Sequence, residues 1–354
     1  MARCDEKLLL ALIIMCIYNL FEGCSVNREI VNLNEYDEIK IGVIVYKQED
    51  PFILSITDEI QELAKEKEHD DNCKITVNIV DAKGSLTTQN NHVDKFISQD
   101  YDVICVNIVD RTAASMIINK CKRANKPIIF FNREPVEEDM ELWDKVYYVG
   151  TNSEQSGILQ GEIIVDEYEK NRENIDRNND GKIQYVMLEG EPEHQDSLIR
   201  TECFIKTMDD NNIEVEKLAE DTANWQNAQA YEKMTQWIKE FGKNIEVIVS
   251  NNDGMAIGAI NAMENANIDI KDRPIVVGID AIQDALMLIQ SDAMAGTVFN
   301  DYKSQAKGIF DISYYLCTDE NTNLIKGLQN GKYIKTTYEK VTKENVGNYI
   351  KHAT

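Results

Sequence analysis

No CxxC pair, no GxxxxGK[ST] and no GxSxG occurs in the 354 residues, and the loop after the first apolar run, KQEDPF, is not a GxGxxG. Each absence removes a class of chemistry. Without a phosphate-cradling glycine loop there is no nucleotide signature, and without a nucleophile elbow there is no α/β-hydrolase serine. Cys73, Cys105, Cys121, Cys203 and Cys317 are scattered and odd in number, which argues against a disulfide framework and against a zinc site. Cys105 falls in an apolar strand pattern and reads as a buried, inert thiol. Basic residues are few, 37 against 62 acidic, and the net charge of −25 would repel a nucleic-acid backbone. Histidine is scarce as well, at four. His69 and His352 stand in polar contexts and His92 in a helical one, so only His194, in GEPEHQDSLIR, has a setting that suggests a site. Nothing in the chain supplies a nucleophile together with its base.

The N-terminus reads as a targeting segment, residues 1–24. Arg3 and Lys7 precede an apolar run, Leu8 to Ile17, which is too short to span a bilayer. The LFEGC that ends at Cys24 resembles the lipobox of bacterial lipoproteins, in which the cysteine is acylated and becomes the mature N-terminus. Glu22 is an awkward residue inside that motif, and ordinary signal-peptide cleavage nearby is the alternative. Residues 25–38 read as a polar tether.

What is abundant is alternation. Short β-branched runs recur at 40–46, 74–80, 102–109, 126–132, 145–150, 183–190, 213–219, 245–251, 274–280 and 295–300, with amphipathic helical stretches between them. That pattern predicts an α/β fold with mostly parallel sheets covered by helices on both faces, and the length suits about two domains. The signals after residue 317 are short and ambiguous. Polar side chains gather at the carboxyl ends of the strands: Asp50, Asn132, Asn252, Asp280 and Asn300. In open α/β sheets ligands bind there, so these residues predict one convergent site. The plainer alternative is that each merely caps the following helix. Around His194, Asp196 and Arg200 form an i, i+4 pair that could equally be a surface salt bridge. Phe52 and Trp225 complete the set, because a pyranose is well held by aromatic rings on its faces and by Asp, Asn and Arg around its rim.

A second motif is DRNNDGKIQ, Asp176 to Gln184. Oxygen-bearing side chains at loop positions 1, 3 and 5 (Asp176, Asn178, Asp180), Gly181 at 6 and Gln184 at 9 match the front of an EF-hand calcium loop. Position 12 is Met187 instead of glutamate, so half of the shell must come from elsewhere. The alternative is a polar Asn-Asp-Gly turn.

From about Ile39 onward the chain resembles the D-galactose/D-glucose-binding proteins of bacterial ABC sugar importers. The resemblance is carried by YKQEDPF, FFNREP, YYVGTNSEQSGILQG, the calcium loop, GEPEHQD, DTANW, NND with MAIGA, and GTVFND, in that order. It is weaker at 60–100 and after 317, and the pool of cysteines departs from it. It implies a two-lobed type I periplasmic-binding-protein fold joined by three hinge crossings, with residues 39–149 and about 300–335 in the first lobe and 150–299 and about 336–354 in the second. It implies sugar contacts at Asp50, Phe52, Asn132, His194, Asp196, Arg200, Trp225, Asn252, Asp280 and Asn300, with Phe52 and Trp225 sandwiching the ring. It also implies a structural Ca2+ held by Asp176, Asn178, Asp180, the Lys182 carbonyl, Gln184 and Glu246. The implied partners are a monosaccharide and ABC permease subunits, with a chemoreceptor or sensor kinase as the variant, and the membrane is reached through a lipid anchor only. A calcium-dependent glycoside-processing enzyme is the competing class, since Asp50, Asp196 and Asp280 could be drafted as its two carboxylates. A DNA-binding regulator of the same lobe fold is excluded, because a targeting segment and no helix-turn-helix precedes residue 39.

Overall fold

A computed structural model describes residues 38–71, 73–318 and 321–350. The expected targeting segment, Cys24, the tether to residue 37, and His352 lie outside the described residues. Two six-stranded sheets form two lobes. The first contains β1 (Glu38–Val45), β2 (Lys74–Asp81), β3 (Val103–Val106), β4 (Ile128–Phe131), β5 (Val146–Thr151) and β11 (Tyr333–Thr336), in the order β11-β5-β4-β3-β1-β2. The second contains β6 (Ile183–Glu189), β7 (Val215–Thr222), β8 (Val247–Ser250), β9 (Ile275–Val277), β10 (Gly296–Asn300) and β12 (Tyr338–Thr342), in the order β12-β10-β9-β8-β6-β7. Every neighbouring pair is parallel except β10 with β12.

Strand alternation explains the layers. Ile129 and Phe131 of β4 face the cluster under helices Pro51–Asp71 and Tyr302–Cys317, whereas Ile128 and Phe130 face the one under Leu86–Ser98 and Ala114–Ala124. Both faces of each sheet are covered, which is why the strands read as continuous apolar runs. Cys105 and Met187 are fully buried in this packing. Burial pushes the Cys105 thiol up to about 12, so it stays an unreactive SH group.

The chain passes between the sheets three times, after Thr151, after Asn300 and after Thr336. Gly150 and Thr151 still pair with β11, so the first crossing lies one to two residues beyond the expected boundary at 149/150. Glu38, expected in the tether, instead opens β1. It sits in register with Lys74, which bonds its carboxylate at 2.8 Å, and Thr76 donates to the same oxygen. That pairing extends the strand by a residue the apolar pattern could not reveal.

Candidate functional site

In both sheets the strand order reverses beside the first strand of the lobe, between β1 and β3 and between β6 and β8. The loops after these strands part there, and their carboxyl ends face each other across a narrow cavity. Its walls are Asp50, Phe52 and Asn132 from the first lobe and His194, Asp196, Arg200, Trp225, Asn252 and Asp280 from the second, with Tyr46 and Arg133. Asn300 is not on the wall. Its amide donates to Asp280 Oδ1 at 3.1 Å and its oxygen accepts from Gln305 at 2.7 Å, so it stands behind Asp280.

Several of these residues cap helices and line the cavity at once, so the two readings of the strand-end residues do not exclude each other. Asp50 Oδ1 accepts the Phe52 and Ile53 amides at 2.9 and 3.2 Å while Oδ2 accepts the Tyr46 hydroxyl at 2.8 Å. Asn252 Oδ1 accepts the Met255 amide at 3.0 Å. His194 Nδ1 accepts the Asp196 amide at 3.1 Å, which leaves Nε2 to carry the proton. Burial lowers the His194 pKa to about 3, so the ring is neutral.

The Asp196–Arg200 pair, 3.7 Å apart, is buried and not on the surface. Arg200 is fixed by Ser156 Oγ at 3.2 Å, the Asn251 carbonyl at 2.8 Å and the Tyr338 hydroxyl at 3.1 Å. Burial pushes the Asp196 carboxyl up, but His194, Arg200 and the 2.6 Å bond from Ser153 outweigh it, and it ends below the usual range. Asp280 goes the other way. Burial raises it to about 7, against the pull of Arg200 and Asn300.

Trp225 sits at φ 64° with its ring against Gly190, where any Cβ would lie 2.0 Å from the indole. The edge of His194 meets it at 5.1 Å, and the Arg200 guanidinium lies 5.8 Å away. Trp225 Nε1 and Arg133 Nε are buried with no partner in the protein. Two donors are thereby left for a ligand rich in hydroxyl oxygens.

Four residues escaped the sequence reading. The Arg133 guanidinium stacks on Tyr46 at 3.8 Å and donates to Glu191 at 2.7 Å. Lys47 bonds the other Glu191 oxygen at 2.7 Å. Lys47 and Arg133 belong to the first lobe and Glu191 to the second, so this ion cluster bridges the lobes beside the cavity. The only signal was adjacency: each lies within four residues of a predicted contact.

The loop 176–184 is built differently. Asp176 Oδ1 accepts the Asp180 amide at 3.0 Å and Oδ2 the Gly181 amide at 3.1 Å, with Gly181 at φ 89°. Glu246, at the entry to β8, reaches in. Its Oε1 accepts the Arg177 amide at 2.7 Å and its Oε2 the Gln184 amide at 3.0 Å. Asn178 Nδ2 touches Asp180 and Gln184 oxygens at 3.1 and 3.0 Å, and Gln184 Nε2 touches Asp180 at 2.9 Å. Among the described residues no three His, Cys, Asp or Glu side chains are gathered tightly enough to form a metal cluster by themselves. The donor set nevertheless fits a hard cation. It consists of oxygens only, its acids Asp176 and Glu246 are buried, and turning two amides through 180° adds two more inward oxygens.

Two α/β lobes meeting at a polar cavity with aromatic rings in its wall define a small-ligand binding protein. The chain belongs to the periplasmic binding protein family, whose domain model matches residues 41–321. It is 37% identical to the D-galactose/methyl-galactoside binding periplasmic protein MglB of Haemophilus influenzae, over 88% of this chain and 92% of that one. Among solved structures, it resembles an ABC transporter solute binding protein of Bacillus halodurans with bound myo-inositol (28% identity, TM-score 0.72, 88% of this chain and 96% of that one). A solute binding protein of Actinobacillus succinogenes with bound D-allose shares the fold (23% identity, TM-score 0.74, 88% and 100%). Family members are extracytoplasmic substrate-binding receptors of importers, not enzymes.

Proposed function

We propose that this chain is an extracytoplasmic receptor for a hexose, galactose or glucose, which it delivers to an ABC importer. The observation that carries the reading is the cavity wall. It joins Phe52 and Trp225 to three carboxylates, two amides and two buried arginines around one space between the lobes. A titration against a panel of monosaccharides, followed by tryptophan fluorescence or calorimetry, tests it. Galactose or glucose binding far tighter than pentoses and polyols is expected, and no hexose binding overturns it. The same binding event serves a chemoreceptor or sensor kinase equally well, since both read the lobe surfaces. Hydrolysis is the less favoured reading, because Asp50 and Asp196 are already held by protein donors. Incubation with aryl glycosides and a search for released product separates the two.

Calcium at Asp176, Asn178, Asp180, the Lys182 carbonyl, Gln184 and Glu246 is part of the proposal, in a structural role supported by the oxygen-only donor set. So is an acyl anchor at Cys24, supported by LFEGC. Cys24→Ala should release the protein or leave it unprocessed, and a processed variant retained on the membrane would reject the anchor.

A further inference from the structure

Asp280 presents its carboxyl to the cavity from a backbone that is hard to hold. Its φ is 121° and that of Ala281 is 55°, two consecutive non-glycine residues at positive φ, the half of the map that favours glycine. Such conformations persist only where the surroundings over-determine them. The support comes from behind the wall. Asp253 is fully buried and does not line the cavity. Its Oδ2 accepts the Ile282 amide at 3.0 Å, and its Oδ1 accepts the Thr297 hydroxyl at 2.7 Å. Thr297 Oγ1 in turn accepts the Ala281 amide at 3.3 Å. The Asp253 amide donates to the Ile279 carbonyl at 2.7 Å, so the same residue grips the turn on both sides of Asp280. Room is made by Gly278, where a Cβ would lie 2.2 Å from Asp253 Oδ1.

We infer that Asp253, acting with Thr297, is a positioning residue that locks the strained Asp280–Ala281 turn and so aims the Asp280 carboxyl into the ligand cavity. A buried acid beside a second acid is otherwise a poor component for a core. Burial, then the neighbouring Asp280, pushes the Asp253 carboxyl well up, a cost with no return in packing. The role deepens the receptor reading and rests on it for its consequence in binding.

The test uses the whole chain and three variants: Asp253→Ala, Thr297→Val and Thr297→Ser. Hexose affinity by calorimetry should fall about a hundredfold in the first and about tenfold in the second, and recover to within about twofold in the third, as expected for displacement of a contact by a fraction of an ångström. Amide hydrogen exchange at Ala281 and Ile282 should quicken in the first two variants, more than in the rest of the second lobe. Thr297→Val keeps the volume of the side chain and decides the matter if Asp253→Ala fails to fold. Unchanged affinity, or weakened affinity with Ala281 and Ile282 still as protected as in the parent, overturns the inference. If the parent binds no hexose, the receptor reading fails alone, and exchange at these two amides still decides whether the lock exists.

Discussion

The cavity and the loop at 176–184 are both clusters of acids and amides, yet they hold their charge in different ways. In the loop, Glu246 is bonded by backbone amides, Asp176 by two backbone amides and Arg172, and Asp180 by one backbone amide and two side-chain amides of the same lobe. In the cavity, Asp196 and Asp280 answer to side chains, with Arg200 between them. Amides of one folded loop are preorganised and local, whereas side-chain partners from four strand ends exist only when the whole lobe is assembled. The loop therefore suits a bare cation. The cavity suits a neutral polyol, whose hydroxyls can insert into a balanced field.

The contrast is broken most severely at Asp280. Asp280→Ala removes a carboxylate to which a ligand hydroxyl would donate in a desolvated cleft, and hexose affinity should drop by about 2–5 kcal/mol. Calorimetry reads this, and the melting increment given by calcium should not move. Trp225→Ala should cost about 2–4 kcal/mol of affinity if the ring acts as a central anchor, with the rank order of sugars kept. Because Trp225 also belongs to the core under helix Asn227–Phe241, the melting temperature should fall too. An intact melting curve would assign the ring to the ligand alone.

The loop is probed by chelation. Removing a cation present at a hundredfold its Kd should cost about 2.7 kcal/mol of stability, while hexose still binds at low temperature. Glu246→Gln should mimic most of the loss in a calcium-dependent melt. Identical melts with and without calcium reject the metal.

The pH profile sharpens the comparison further. Asp280 is raised to about 7 in the empty cavity, and a hydroxyl donating to its carboxylate requires the proton to leave. Affinity should therefore be flat above pH 7 and fall by at most about tenfold per unit as pH drops below it. His194, neutral down to about pH 3, adds nothing in that window. Asp280→Asn should flatten the profile, and a parent profile already flat from pH 5 to 8 would refute the assignment. The smallest effect belongs to Lys47→Ala. Arg133 still satisfies Glu191, and a partly exposed ion pair contributes about 0.5–1 kcal/mol, visible as a salt-dependent shift in affinity of severalfold.

Legibility followed the same division. The first ten strands were readable because periodicity is a local signal, whereas β11 and β12 fall in the ambiguous stretch after residue 317. The cavity residues that double as helix caps, such as Asp50 and Asn252, were readable too. Glu246 could not be reached by spacing at all. It lies over sixty residues beyond the loop and came only from the family resemblance. Tyr46, Lys47, Arg133 and Glu191 were overlooked because their meaning lies in a pairing across two lobes. Glu38 was missed because its role is a cross-strand pair and not a pattern. Asp253 carries no motif of its own, and only the φ values at Asp280 and Ala281 and its bonds to that turn revealed a task.

The three crossings carry a consequence for how the chain acquires its shape. Helix Tyr302–Cys317 buries Ile309 and Ile312 completely in the first lobe, and β11 closes the edge of that sheet. All of this is synthesised after the second lobe's first five strands. Neither lobe can therefore finish as an independent unit while the chain emerges. A fragment ending near Asn300 would leave the apolar face of β1, β3 and β4 covered by helix Pro51–Asp71 alone and β10 without its antiparallel neighbour. Completion waits on residues 302–342, the long-range contacts that make folding slow and expose intermediates to aggregation. A last-arriving keystone thus postpones the compact state of both lobes to the end of the chain.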